Sequence, residues 1–127
     1  MNKFGFIFLY LVALFTSCED SPEDKREKAE LKGAELLNQA RIAHINGDYQ
    51  TAIGLIDSIR KAYPLAMEAR EQGILLKDSV FLYEARKTLQ QAMEEALPDS
   101  EIEELQNKIT FHLRKLQHDK EQRQTHK

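Results

Sequence analysis

The stretch from Gly47-Asp48-Tyr49 to Tyr63-Pro64 most constrains what this chain can fold into. A glycine can take the left-handed conformation that closes a helix, and an aspartate directly after it can cap the next one. Behind that junction Tyr49, Ala52, Ile53, Ile56 and Ile59 recur at helical spacing until Pro64 stops the run. A tight turn between two helical patterns predicts an all-α protein with this turn at its inner corner. Charged residues make up 31% of the 127, against only 5 Gly and 3 Pro, a balance suited to long solvated helices. A formal net charge of -3 is too small to argue for nucleic acid or an acidic substrate, and no nucleic-acid partner is expected.

Four helices are expected, near residues 22–46, 49–62, 65–97 and 100–120. Ser21-Pro22-Glu23-Asp24 supplies a cap, a proline suited to the first helical position and two acids at the positive end of the dipole. The following residues, Lys25, Arg26, Lys28, Glu30 and Lys32, are nearly all charged. This half of the first helix is expected to project as a stalk, with packing only from Leu36 onward. Further along, Leu75, Leu82, Leu89 and Ala96 recur every seventh residue, with Ala85 and Ala92 between them. That pattern predicts one long helix with a coiled-coil stripe, either continuous or loosened at Asp78-Ser79. Pro98-Asp99-Ser100 separates it from the last helix, which either Ser100, in a capping box with Glu103, or Asp99 could cap. Ile102, Leu105, Ile109, Leu113 and Leu116 form that helix's apolar stripe, and residues 118–127 offer nothing to bury and are expected to be disordered.

From Gly33 to Pro64 the residues resemble a tetratricopeptide repeat. Leu36 falls on the first large apolar position, Ala40 and Ala52 on the small positions where the helices cross, Gly47-Asp48-Tyr49 on the turn and Pro64 on the closing proline. Ile59 and Ala43 depart from the pattern. Residues 65–97 contain no matching glycine turn. The resemblance therefore implies one repeat-like helix-turn-helix, extended by a long antiparallel helical hairpin. A generic helical hairpin with a similar turn is the alternative.

The first residues belong to a different kind of segment. Lys3 precedes an apolar run from Phe4 to Phe15, shorter than the roughly 20 residues of a spanning helix but fitting a signal peptide. Ser17 directly before Cys18, the only cysteine, resembles the lipobox of a bacterial lipoprotein, with Phe15 where leucine is usual. The resemblance implies a signal peptide over 1–17, acylation of Cys18 and an anchor that needs no spanning helix. A stray thiol behind an ordinary signal peptide or an uncleaved anchor is the alternative. Glu19-Asp20 and Glu23-Asp24 form an acidic tether over 18–24 that resembles the surface-export signal of Bacteroidetes-type lipoproteins. It implies outer-membrane attachment, facing either the periplasm or the exterior. Removing 1–17 takes away Lys3 alone among the charges, which moves the net charge from -3 to -4.

Little in the helical domain (25–117) suggests reaction chemistry. His44, His112, His118 and His126 are spaced unlike zinc ligands and are expected on the solvated surface. There is no glycine-rich phosphate loop and no nucleophile with a base nearby in sequence. The expectation is a protein that is not an enzyme, without metal, cofactor or small-molecule substrate. Its partner is another protein or a second copy, and the alternative is a structural coiled-coil spacer with no dedicated ligand. The expected docking residues are Phe81, Met93 and Phe111, which two antiparallel helices cannot easily bury. Alternatively, the first helix leans over and covers them.

Overall fold

A computed structural model describes residues 21–125. Four helices account for 89% of the described residues, with no strand among them: α1 (Pro22–Ile45), α2 (Tyr49–Ala62), α3 (Met67–Glu94) and α4 (Asp99–Thr125).

Local chemistry sets the first two helices. Ser21 Oγ accepts the Asp24 N–H at 3.2 Å, so Pro22 to Asp24 form the first turn of α1 rather than part of a tether. At the other end of α1 the Gly47 N–H reaches the His44 carbonyl and the Asp48 N–H the Ala43 carbonyl. This paired closure needs a left-handed residue, and Gly47 supplies it with φ +78°. Asp48 then caps α2 by accepting the Thr51 N–H at 3.2 Å. The hairpin closes on small residues: Ala40 and Ala52 are both fully buried.

The charged half of α1 does not project as a stalk. Ala29 packs on the cluster of Leu37, Ile59, Ala66 and Ala69. A Cβ added to Gly33 would lie 2.8 Å from the Cβ atoms of both Ala66 and Ala69, so α1 and α3 approach as closely as a glycine permits. Glu30 has a further role there. Ala66, at the N-cap of α3, has no side chain to satisfy the first amides. The Glu30 carboxylate accepts them instead, from Glu68 at 2.9 Å and Ala69 at 3.2 Å. A run of charges looks solvated from its sequence; one of these carboxylates is a cap for a helix 38 residues away.

α3 is shorter than the expected 65–97 because turns occupy both ends. Pro64 and Leu65 lie in the connection from α2, where the Ala66 N–H bonds to the Tyr63 carbonyl. At the far end Ala96 sits at φ +54°, with the Leu97 N–H reaching the Ala92 carbonyl. This repeats the Gly47 closure with an alanine in the left-handed position, and it removes Ala96 from the stripe. Between these ends the helix is unbroken through Asp78 and Ser79. One side of α3 packs on α1 and α2 around Val80 and Leu76.

Among the described residues α4 packs against α3 alone, so α1 does not lean over the distal hairpin. No α4 residue is buried; the covered groups are on α3, at Asp78, Leu82, Ala85 and Ala92. α4 begins at Asp99, with the Pro98 carbonyl accepting the Ile102 N–H, which places Ser100 inside the first turn rather than at the cap. The helix also continues to Thr125, where disorder was expected from 118. Two kinds of ion pair hold the extra turns: Lys115 with Asp119 at 2.8 Å along the helix, and Arg123 across to Glu68 and Glu71 of α3. The helical domain therefore extends beyond 25–117 in both directions.

Candidate functional site

The α3–α4 hairpin has one side with an open groove of about 330 Å³. Phe81, Glu84, Ala85 and Thr88 line it from α3, and Leu105, Lys108 and His112 from α4. These α3 residues fall at i, i+3, i+4 and i+7, one edge of a helix, next to the seam residues that face α4. Phe81 and His112 stack across the helices with ring centroids 5.6 Å apart and planes 16° from parallel. Phe111 meets His112 edge to face at 5.3 Å and is 61% exposed. Burial, with Lys108 and Lys115 nearby, holds the His112 pKa below its ordinary value, so the imidazole favours its neutral form. The groove floor is thus aromatic and largely uncharged, with Glu84 and Lys108 on its rim. Such a surface suits apolar side chains of a partner.

The expected docking residues divide. Phe81 and Phe111 meet around His112, Phe81 half-buried and Phe111 exposed. Met93 is 60% exposed but does not line the groove. Twelve residues after Phe81, it lies about 120° farther round α3. Gly47 forms the α1–α2 turn, Ala52 lies fully buried between helices and Pro64 stands in the α2–α3 connection. Cys18 lies outside the described residues, as do the 1–17 segment and His126.

Two of the histidines are not solvated as expected. His112 belongs to the groove. His44 packs with Tyr49 and Tyr83 in a three-ring cluster whose centroids are 5.6 to 6.0 Å apart, and Lys87 lies over the Tyr49 ring. His118 is exposed.

Sequence reasoning missed the buried acid. Asp78 is 2% exposed, and its Oδ1 accepts from Lys115 Nζ at 2.7 Å. Lys115 also bonds Asp119 at 2.8 Å. Burial pushes the Asp78 pKa up to about 6, helped by the hydrogen bond that its protonated form donates to Asp119 and opposed by Lys115. That same hydrogen bond holds Asp119 low, while Asp119 and Asp78 hold Lys115 high. When the two carboxyls share one proton, Asp78 keeps it because its surroundings solvate charge less well. A signal was visible: Leu75, Asp78, Leu82, Ala85, Leu89 and Ala92 alternate steps of three and four, so the acid occupies a seam position.

Among the described residues, no group of three or more His, Cys, Asp or Glu is placed to hold a metal ion, and no helix is long and apolar enough to cross a membrane. Comparison with known proteins finds no matching family model, no matching curated protein and no matching solved structure.

Proposed function

We propose that this chain is a lipid-anchored helical protein–protein interaction module of the cell envelope, acting as a scaffold or accessory subunit. In this reading residues 1–17 are a signal peptide, Cys18 carries the lipid (diacylglyceryl with fatty acids such as palmitate) and the outer membrane is the site of attachment. The helix-turn-helix at Gly47 serves as a tetratricopeptide-like unit that stiffens the base of the α3–α4 hairpin. The reading assigns the chain no catalytic role, cofactor, nucleic acid or small-molecule substrate.

The observation that carries the interaction reading is the groove floored by Phe81 and His112 beside the exposed Phe111. Large apolar groups gathered at a groove on a slender hairpin usually mark an interface. The α3–α4 seam also favours a second reading, a coiled-coil spacer that associates with its own copies, because hairpins with such seams pair readily into bundles. Capture of the tagged protein from envelope extracts separates the two. One partner in constant ratio supports the module, and self-association alone supports the spacer. Fatty-acid labelling of cells tests the anchor: the wild type takes up label and Cys18→Ala does not. Equal, low labelling of both removes the localisation.

A further inference from the structure

We propose that α4 is a proton-responsive arm, docked on α3 through the Asp78 carboxyl, which loosens when that group loses its proton and uncovers the α3 face at Leu82, Ala85 and Ala92. Three observations point to α4 as the element that can move. Among the described helices it packs against α3 only, it has no buried residue of its own, and it joins α3 through a short turn at Ala96–Pro98. Elements that open locally are those with few buried apolar contacts. The face it covers carries Leu82, Ala85 and Ala92, so departure of α4 would expose an apolar interaction surface without disturbing the core of α1, α2 and the other side of α3.

The control point is the one buried acid on that covered face. Asp78 Oδ1 is held by Lys115, but Oδ2 is buried without a hydrogen-bond partner. An ionised carboxylate thus keeps one oxygen desolvated and unsatisfied. A protonated carboxyl can donate to Asp119 and remove that penalty. The charged groups facing Asp78 from α4 are Lys115 and Asp119. On α3 itself, the neighbouring Lys77 pairs with Asp57 of α2.

The direction follows from linkage. The docked carboxyl, at about 6, binds protons that the undocked one, near 3.8, has already released. The Asp78 contribution to docking is therefore fully present below about pH 4 and is lost as pH rises through about 6. Between about pH 5 and about pH 7 the docked-to-undocked ratio should fall about tenfold from this group. His112 acts oppositely: its pKa is lowered when α4 is docked, so docking gains as pH rises toward 6.5. Both wild type and Asp78→Asn contain His112, so comparing them isolates Asp78.

The test is hydrogen exchange on the full-length chain at about pH 5 and about pH 7, corrected for intrinsic rates. The protection of α4 amides in wild type, relative to Asp78→Asn, should fall about tenfold across that range, with α1 and α2 amides unmoved. A constant ratio, or α1 and α2 amides changing in step with α4, overturns the proposal. If Asp78→Asn does not fold, the Asp78 carboxyl carbon in wild type decides by nuclear magnetic resonance titration. A midpoint near 6 supports the arm, and one near 4 overturns it.

Discussion

Removing the Glu30 carboxylate should destabilise a helix that begins 37 residues later in the chain. Its two oxygens accept the Glu68 and Ala69 N–H groups at 2.9 and 3.2 Å, and Ala66 at the N-cap position has no oxygen to replace them. Loss of an N-cap acceptor costs about 0.5–2 kcal/mol, and a negative charge at a helix N-terminus contributes about 0.3–1 kcal/mol more. The site is half-buried, so water would satisfy part of the exposed amides in Glu30→Ala. The expected net loss is about 1–2 kcal/mol, or roughly 5–10 °C in Tm for a domain of this size. Urea titration followed by circular dichroism measures it, with Glu27→Ala, one turn earlier on an exposed position, as the control. The control should change stability by less than about 0.5 kcal/mol. Equal effects of the two substitutions would refute the tertiary cap.

Two other substitutions test local geometry. Ala52→Phe places a ring where a methyl group is already fully buried beside Ala43 and Val80, and overpacking should cost about 1–3 kcal/mol in a thermal melt; an unchanged melt would mean that the hairpin does not cross there. Ala96→Gly should raise stability by about 1 kcal/mol in the same assay, because glycine takes a positive φ without the Cβ clash and the exposed Ala96 methyl is little packed.

What could be read from the sequence is what neighbouring residues decide among themselves. Ser21-Pro22 starts α1 and Gly47-Asp48 turns the chain because each cap lies within four residues of the groups it satisfies. The second closure was hidden because an alanine does the work expected of a glycine. The helical tail after Leu116 was hidden for another reason: Arg123 pairs with Glu68, 55 residues earlier, and no local pattern announces that. Glu30 is the same case. For the groove, the presence of Phe81 and Phe111 outside the seam was legible from spacing, whereas the stacking of His112 on Phe81 depends on the register between α3 and α4. Register also decides that Lys115 meets Asp78, although an acid in an apolar stripe is visible without it.

The central claim is that the aromatic groove serves docking and not folding. Phe111→Ser removes the exposed ring that stands beside it against His112, so paired measurement of complex formation and Tm tests the claim directly. The envelope partner, or the self-associated species, should be lost while the Tm of the isolated chain stays within about 2 °C of wild type, as for surface substitutions away from the core. A steep fall in Tm, or a complex that survives the substitution intact, would contradict it.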